Sequence, residues 1–267
     1  MVKTFYNQSL SIMCPPYGQS HTNLMDAKMG KRGFSVICGL FFFAAAYCPG
    51  QTPSLQAAIW QTAVAIRAES FTLAPGALLY EQYQIDKNGK MGRSETGRIG
   101  LTYDEGGKAA VSVVWAKRGE NDFTAERAGR LEKQASRRNE FLSYFTPFDP
   151  DLQDRLTWTG GTRVFAEGKL LWQYEFSLPM NKQRGFTGTA RVDDNGRPYD
   201  FSFTLSPKPF YLDIMEVHIV FDNDREHLVF SRIDYKYEAS FLFWNWKGGG
   251  HADFDDWRWI AAPPRLH

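Results

Sequence analysis

The chain has 267 residues, a formal net charge of +1, 15% aromatic residues and three cysteines. This length suits one large β domain, and the balanced charge argues against a nucleic-acid-binding protein. Because Cys14, Cys38 and Cys48 all precede residue 51, we expect the domain after that point to contain neither a disulfide nor a thiolate site.

The N-terminal region contains the pattern of a signal peptide over residues 29–50. Lys31 and Arg32 precede an apolar run from Phe34 to Ala46, and a small, turn-forming segment follows at residues 48–50. The run is too short for a membrane-spanning helix. We therefore expect export to the periplasm or to the periplasmic face of an outer membrane.

Two expectations follow for the flanking residues. Residues 1–28 are polar and without periodicity, so we interpret them as a disordered extension or as the product of a wrongly chosen start codon, with the folded domain at 51–267. Acylation of Cys48 is an alternative, disfavoured because the bulky Tyr47 stands where a lipoprotein signal needs a small residue.

A first helix is expected directly after the signal peptide. Thr52 and Pro53 form a helix start, since a hydroxyl can cap the first turn and proline fits its first position. Apolar and small residues then recur at helical spacing, at Leu55, Ala58, Ile59, Thr62, Ala63 and Ile66.

Ten strands and a second helix are predicted after it. The strands run from Leu78 to Lys87, Ser94 to Asp104, Lys108 to Lys117, Arg155 to Ala166, Lys169 to Pro179, Arg184 to Asp193, Arg197 to Ser206, Leu212 to Phe221, Glu226 to Trp244 and Phe254 to Ile260. The helix spans Asp122 to Phe145, before Pro147. The three glycines at 248–250 are expected to form a flexible hairpin loop.

The strands commit their aromatic residues to one face. In the strand from Lys169, for example, Trp172, Tyr174 and Phe176 alternate with Gln173 and Glu175. Alternation of this kind in a long meander predicts an α+β fold that is mostly antiparallel β. We expect an unclosed, strongly curved half-barrel of about ten strands, with two helices covering its concave face.

Several segments resemble the outer-membrane lipoprotein-sorting family of the LolA and LolB type. They are Gly185 to Asp193, Asn195 to Pro198, Phe203 to Pro209, and Thr146 to Pro150 with Gln153. The layout of helix, strands, inserted helix and aromatic meander is similar over most of residues 52–259. The resemblance implies a half-barrel whose concave face holds acyl chains of lipoproteins or other lipids.

For a carrier of this kind we expect the ligand to be a lipid or a lipoprotein acyl chain. An envelope transport protein or membrane protein would be a further partner, and the chain would be a monomer. The expected ligand-binding residues are apolar residues of the inner face and of the second helix: Trp115, Phe141, Leu142, Phe145, Phe176, Phe201, Phe203, Phe221 and Phe241.

Catalytic, cofactor and metal sites are not expected. The histidines after residue 51 lack the spacing of zinc ligands, and the sequence has no G-x-S-x-G nucleophile motif. Two alternatives to a lipid carrier stay open. One is an integral outer-membrane β-barrel, and the other is a structural or protein-interaction module that uses an exposed edge strand.

Overall fold

A computed structural model describes residues 54–86, 88–135, 145–180, 184–241 and 244–262. These residues belong to one compact unit, Pro53–His267. The signal peptide and the extension predicted before residue 51 lie outside the described residues, as do Phe141 and Leu142.

Eleven strands and two helices make up the described part of the chain. The helices are α1 (Leu55–Glu69) and α2 (Thr124–Ala135). The strands are β1 (Leu73–Ile85), β2 (Met91–Tyr103), β3 (Ala109–Arg118), β4 (Asn121–Asp122), β5 (Thr157–Ala166), β6 (Lys169–Pro179), β7 (Gly185–Val192), β8 (Pro198–Ser206), β9 (Leu212–Asp222), β10 (Val229–Phe241) and β11 (Trp244–Trp259).

All eleven strands form a single antiparallel sheet in the order β4-β3-β2-β1-β11-β10-β9-β8-β7-β6-β5. The strands joined by hairpins are neighbours, and the first long strand, β1, pairs with the last, β11. Because β4 and β5 are the two outermost strands, the sheet is open. The predicted unclosed half-barrel is confirmed, with the very short β4 as an additional strand.

Helix α1 has its cap two residues after the predicted one at Thr52. Ser54 is the N-cap, and its hydroxyl accepts a hydrogen bond from Ala57 N at 3.3 Å. The buried side is formed by Ile59, Trp60, Ala63 and Arg67. The predicted apolar stripe was therefore partly wrong: Leu55 is 62% exposed, since the large Trp60 ring sets which side of the helix faces the sheet.

Helix α2 packs on β3, and its described part spans Thr124–Ala135. Its start is held by Asp122, whose carboxylate accepts a hydrogen bond from Thr124 N at 2.8 Å. Phe145 lies in the segment that leads to a short 3₁₀ turn, Pro150–Leu152, and not on the helix.

The prediction of a loop at residues 248–250 was wrong. All three glycines lie inside β11, paired with β1 on one side and with β10 on the other, and all three are buried. The physical reason is that tyrosine rings of the neighbouring strands occupy the space that side chains would need at these positions.

Candidate functional site

The pairing register defines one face of the sheet, here called the inner face, across seven strands. Directly paired residues share a face, and Phe201 pairs with Ile219, Ile219 with Ile233, Ile233 with Ala252, and Ala252 with Tyr80. Both helices lie on this face. Trp60 of α1 contacts the inner-face ring of Tyr174, and Arg127 of α2 lies near Tyr80.

Five of the nine predicted ligand-binding residues come together in an aromatic cluster on the inner face. Phe145 lies with its ring centroid 4.9 Å from that of Phe203, and Phe201 lies 6.5 Å from Phe176 and 5.9 Å from Phe221. Phe201 is fully buried, whereas Phe203 is half-buried. The cluster is thus a packed core with Phe203 at its more open side.

Of the other four predicted residues, Phe141 and Leu142 lie outside the described residues. Trp115 pairs with Arg98, and Arg98 with Leu79, which places Trp115 on the opposite face of the sheet. A one-residue irregularity in the pairing of β2 with β3 produces this placement, which alternation alone cannot show. Phe241 is the last residue of β10.

Sequence reasoning missed several residues that build the same core. Trp60 stacks on Trp158 at 5.1 Å, and Phe145 stacks on Phe186 at 5.0 Å. The signal that could have found Phe186 is its alternation with the buried Ala190 and Val192 in β7. For Trp60 the local sequence gives no such signal, because its neighbours come from β5 and β6.

A row of tyrosines lying on glycines forms a second part of the inner face, here called the tyrosine floor. Tyr80 pairs with Gly97, Tyr235 with Gly250, and Tyr237 with Gly248. A Cβ atom at Gly97 would lie 2.7 Å from the Tyr80 ring, and one at Gly250 would lie 2.8 Å from the Tyr235 hydroxyl. The rings therefore lie low on the sheet, each over the glycine of the next strand.

Burial governs the ionisation of these tyrosines. Desolvation raises the pKa of Tyr80, partly opposed by the positive charge of Arg127, and desolvation also raises the pKa of Tyr235. Both hydroxyls are therefore neutral across the physiological pH range. The floor offers apolar ring faces and neutral hydroxyl groups to whatever lies against it.

A charged cluster of Glu95, Arg118 and Arg127 adjoins the tyrosine floor at β2 and α2. The Glu95 carboxylate accepts a hydrogen bond from the Tyr80 hydroxyl at 2.8 Å. It also forms ion pairs with Arg127 Nε at 3.4 Å and with Arg118 Nη2 at 3.5 Å. Glu95 and Arg127 are both buried, so one carboxylate serves two guanidinium groups in a region of low solvent access.

A buried ion pair fixes α1 and the segment after Phe145 to each other. Arg67 Nε donates to Asp149 Oδ1 at 2.7 Å, and Asp149 Oδ2 accepts a hydrogen bond from Thr146 N at 2.8 Å. Nearby, the Trp60 indole donates to Gln153 Oε1 at 3.1 Å. These bonds explain why the Thr146 to Gln153 segment carries its polar residues: they position Phe148 and Phe145 over the sheet.

The outer face carries a second polar network, centred on the buried carboxylate of Asp200. Asp200 accepts from Arg191 and lies 3.0 Å from His218 Nε2. Burial by itself would raise the pKa of Asp200, but hydrogen bonds from His218 and Arg191 lower it overall. The same hydrogen bond to Asp200 raises the pKa of His218. The network is on the face opposite the aromatic cluster.

Comparison with known proteins gives likenesses of fold at low sequence identity. No family model and no curated protein matches the chain. Among solved structures, a putative outer membrane lipoprotein-sorting protein domain from Vibrio parahaemolyticus is 11% identical, with a TM-score of 0.39, over 75% of this chain and 93% of that one.

Two further solved structures are similar to the chain. A DUF1329 family protein from Desulfovibrio piger is 9% identical with a TM-score of 0.35, over 76% of this chain and 92% of that one. A structure of the MucA/MucB complex of Pseudomonas aeruginosa is 9% identical with a TM-score of 0.22, over 76% and 99%.

Within the described residues, no group of three or more His, Cys, Asp or Glu side chains is arranged to hold a metal ion. In the same part of the chain, none of the helices has the length and apolar character needed to span a membrane.

Proposed function

We propose that this protein binds the acyl chain of a lipid or lipoprotein on the inner face of its half-barrel, in the bacterial cell envelope. The tyrosine floor is the observation that carries this proposal. Three tyrosine rings lie low over glycines of adjacent strands, so a largely buried, ring-lined part of the inner face lies next to Arg127 of α2. It acts as a binding protein and not as an enzyme.

The tyrosine floor is continuous with the open side of the aromatic cluster. Phe203 pairs with Val217, Val217 with Tyr235, and Tyr235 with Gly250. An apolar chain along this row would contact aromatic and aliphatic groups throughout. Burial contributes about 0.8 kcal/mol per methylene, so a sixteen-carbon chain gains on the order of 10 kcal/mol before ordering costs.

Helix α2 supports the proposal because few of its described side chains are buried. Its described part, Thr124–Ala135, is mostly polar, and the buried side chains there are Arg127 and Leu131. Elements with few buried apolar contacts open at low free-energy cost. We propose that α2 moves away from β3 to admit the chain and closes over it afterwards.

Export is part of the same proposal. The signal peptide predicted at residues 29–50 would deliver the domain to the periplasm or to the periplasmic face of the outer membrane, the compartment in which lipids and lipoproteins must cross an aqueous gap. Acylation at Cys48 stays the alternative route to the same membrane face.

The test is substitution of Phe203, with Phe165 as the matched control. Phe165 lies at the β5–β6 hairpin and is 77% exposed, away from the proposed chain path. We expect Phe203→Asp to lose binding of a pyrene-labelled acyl chain, and Phe165→Asp to keep it. A Phe203→Asp protein that unfolds cooperatively on heating and binds the probe as the wild type does would refute the assignment; Phe203→Thr serves if the aspartate variant does not fold.

One observation favours a second candidate function, binding of a protein partner at the sheet edge. Strand β5 is an outermost strand, and at its end Phe165 and Leu170, paired across the hairpin, are 77% and 50% exposed. An extended peptide can add to such an edge through backbone hydrogen bonds. Loss of a partner in Phe165→Asp, with acyl binding intact, would support this candidate.

A further inference from the structure

We propose that the ligand is an amphiphile with an anionic head, a carboxylate or a phosphate, and that Arg127 binds that head. The inference rests on the proposed function, because it places the head of a molecule whose chain lies along the inner face. It assigns a charge to the ligand and a direction to its binding.

The first observation is an unsatisfied, buried guanidinium. The Arg127 side chain is 5% exposed. Its Nε and Nη2 atoms make no hydrogen bond within the described part of the chain. Leaving such a donor without an acceptor in a buried position is costly, and the cost is larger for a charged group. The site therefore favours an acceptor that the described residues do not supply.

Glu95 does not fill this need, because its contact with Arg127 lacks hydrogen-bond geometry. It accepts from the Tyr80 hydroxyl at 2.8 Å, while Arg118 Nη2 lies 3.5 Å away. Arg127 Nε reaches it only at 3.4 Å, without hydrogen-bond geometry. The charged cluster thus holds two positive groups and one negative group, and an added anion would balance it. Guanidinium groups bind carboxylate and phosphate oxygens in a bidentate manner.

The position of the cluster fits the head of a bound amphiphile. One continuous row of paired residues on the inner face runs from Phe203 through Val217, Tyr235, Gly250 and Gln82 to Glu95. It crosses five strand spacings, or roughly 24 Å along the sheet at about 4.8 Å per strand. The row is apolar at the Phe203 end and charged at the Glu95 end.

Arg127 lies over this charged end. Its guanidinium carbon is 5.4 Å from the centroid of the Tyr80 ring. Its positive charge also opposes the rise in pKa that burial causes at Tyr235, a residue of the same row. A chain lying against Tyr235 would therefore bring its head group to Arg127. The apolar tail would extend toward Phe203.

The test compares amphiphiles that share one chain and differ in the head. Isothermal titration of the full chain with dodecanoate, dodecyl phosphate and dodecanol measures the effect of head charge. Acetate and inorganic phosphate measure binding of the anion alone. We expect the two anionic amphiphiles to bind roughly ten- to a hundred-fold more tightly than dodecanol, the range expected for hydrogen bonds to a charged group.

Two double variants test the role of Arg127. Glu95→Gln with Arg127→Gln removes both buried charges and leaves only the more exposed Arg118 without this counterion. It should reduce dodecanoate binding to the level of dodecanol. The matched control is Glu126→Gln with Arg130→Gln, which removes the exposed pair on the same helix. The control should keep the preference for the anionic head.

The outcomes separate the two proposals. If dodecanol and dodecanoate bind the wild-type protein equally, the anionic head is wrong and the proposed function stands. If no dodecyl compound binds, the proposed function itself fails. Acetate or phosphate binding as tightly as dodecanoate would show a free-anion site, and would overturn the assignment of an amphiphile. These wild-type comparisons hold even if the Arg127 variant does not fold.

Discussion

At the scale of single residues, the fold depends on a few polar groups buried among aromatic rings. Arg67 and Asp149 form an ion pair with side chains 6% and 3% exposed. The pair links α1 to the segment that carries Phe145 and Phe148. The pair positions this segment and adds little net stability, because apolar residues of similar volume can often replace a buried ion pair with little loss of stability.

Removing only one partner of this pair has a large expected cost. In Asp149→Asn, Arg67 keeps its charge and loses its counterion in a buried position. We expect the free energy of unfolding to fall by about 3–5 kcal/mol. Urea denaturation measures it. Glu126→Gln, which breaks the exposed pair with Arg130, should change stability by only about 0.5 kcal/mol; equal losses in the two variants would contradict this account.

The Asp200 network predicts a pH dependence of stability. Because Asp200 raises the pKa of His218 above its ordinary value of 6.5, protonation of His218 stabilises the fold. That contribution is complete below pH 6.5 and is lost as the pH rises through the raised pKa. Arg191 opposes the shift and Asp234 supports it.

The measurement is the thermal unfolding midpoint of the wild type and of His218→Gln between pH 5 and pH 9. We expect the wild type to exceed the variant most at pH 5 to 6, and the difference to narrow as the pH rises. A difference that is the same at pH 5 and pH 9 would show that His218 contributes only packing.

At the scale of the elements, the tyrosine floor explains the placement of glycine in the central strands. Glycine usually weakens a strand, but a ring from the neighbouring strand can cover the exposed backbone. Three such pairs lie on the inner face. A fourth, Tyr83 over Gly249, lies on the outer face, so the central strands β1 and β11 carry this arrangement on both sides.

Two glycines of β2 allow a matched test of this arrangement. A Cβ at Gly97 would meet the Tyr80 ring at 2.7 Å and Trp115 O at 2.8 Å, whereas one at Gly92 would meet Gln84 O at an ordinary 3.5 Å. We expect Gly97→Ala to destabilise the protein by about 1–3 kcal/mol through overpacking. Gly92→Ala should leave the stability unchanged or raise it by about 0.5 kcal/mol. Thermal unfolding of the two variants decides the point; equal behaviour would contradict the tyrosine floor.

Sequence patterns predicted those strands and turns whose structure is determined by the residues of the same segment. Alternation in β6 and β8 and turn signals such as Asn195-Gly196 predicted strands close to those found. The three glycines in β11 were assigned to a loop because their strand character comes from tyrosines in β10 and β1, outside any local window. For the same reason the Tyr80, Tyr235 and Tyr237 site could not be predicted.

At the scale of the whole molecule, one long-range pairing joins the hairpin-linked strands β1–β4 to the hairpin-linked strands β5–β11 in a single open sheet. The hairpin turns seen in the sequence predicted which strands are neighbours in most of the sheet, because antiparallel strands joined by short turns usually pair. The pairing of β1 with β11 joins residues far apart in the chain. It brings Tyr80 and Glu95 next to Tyr235, so the candidate site exists only in the complete sheet.

This pairing also arranges the inner face by chemistry. Aromatic and aliphatic core residues lie on the inner face from β5 through β11, where they include Phe230 and Phe254. The tyrosines and the charged cluster lie on β1, β2 and β10 near Arg127 of α2. The inner face therefore combines an extended apolar part with a part that carries hydroxyl groups and charge. This asymmetry is what an amphiphilic ligand requires.

Native mass spectrometry of the full chain, produced in a bacterium and purified from the cell envelope without detergent, tests the central claim most directly. We expect a one-to-one complex, and solvent extraction should release a lipid or an acylated peptide with an anionic head. A bare protein mass, unchanged after incubation with vesicles made from the same envelope lipids, would contradict lipid binding.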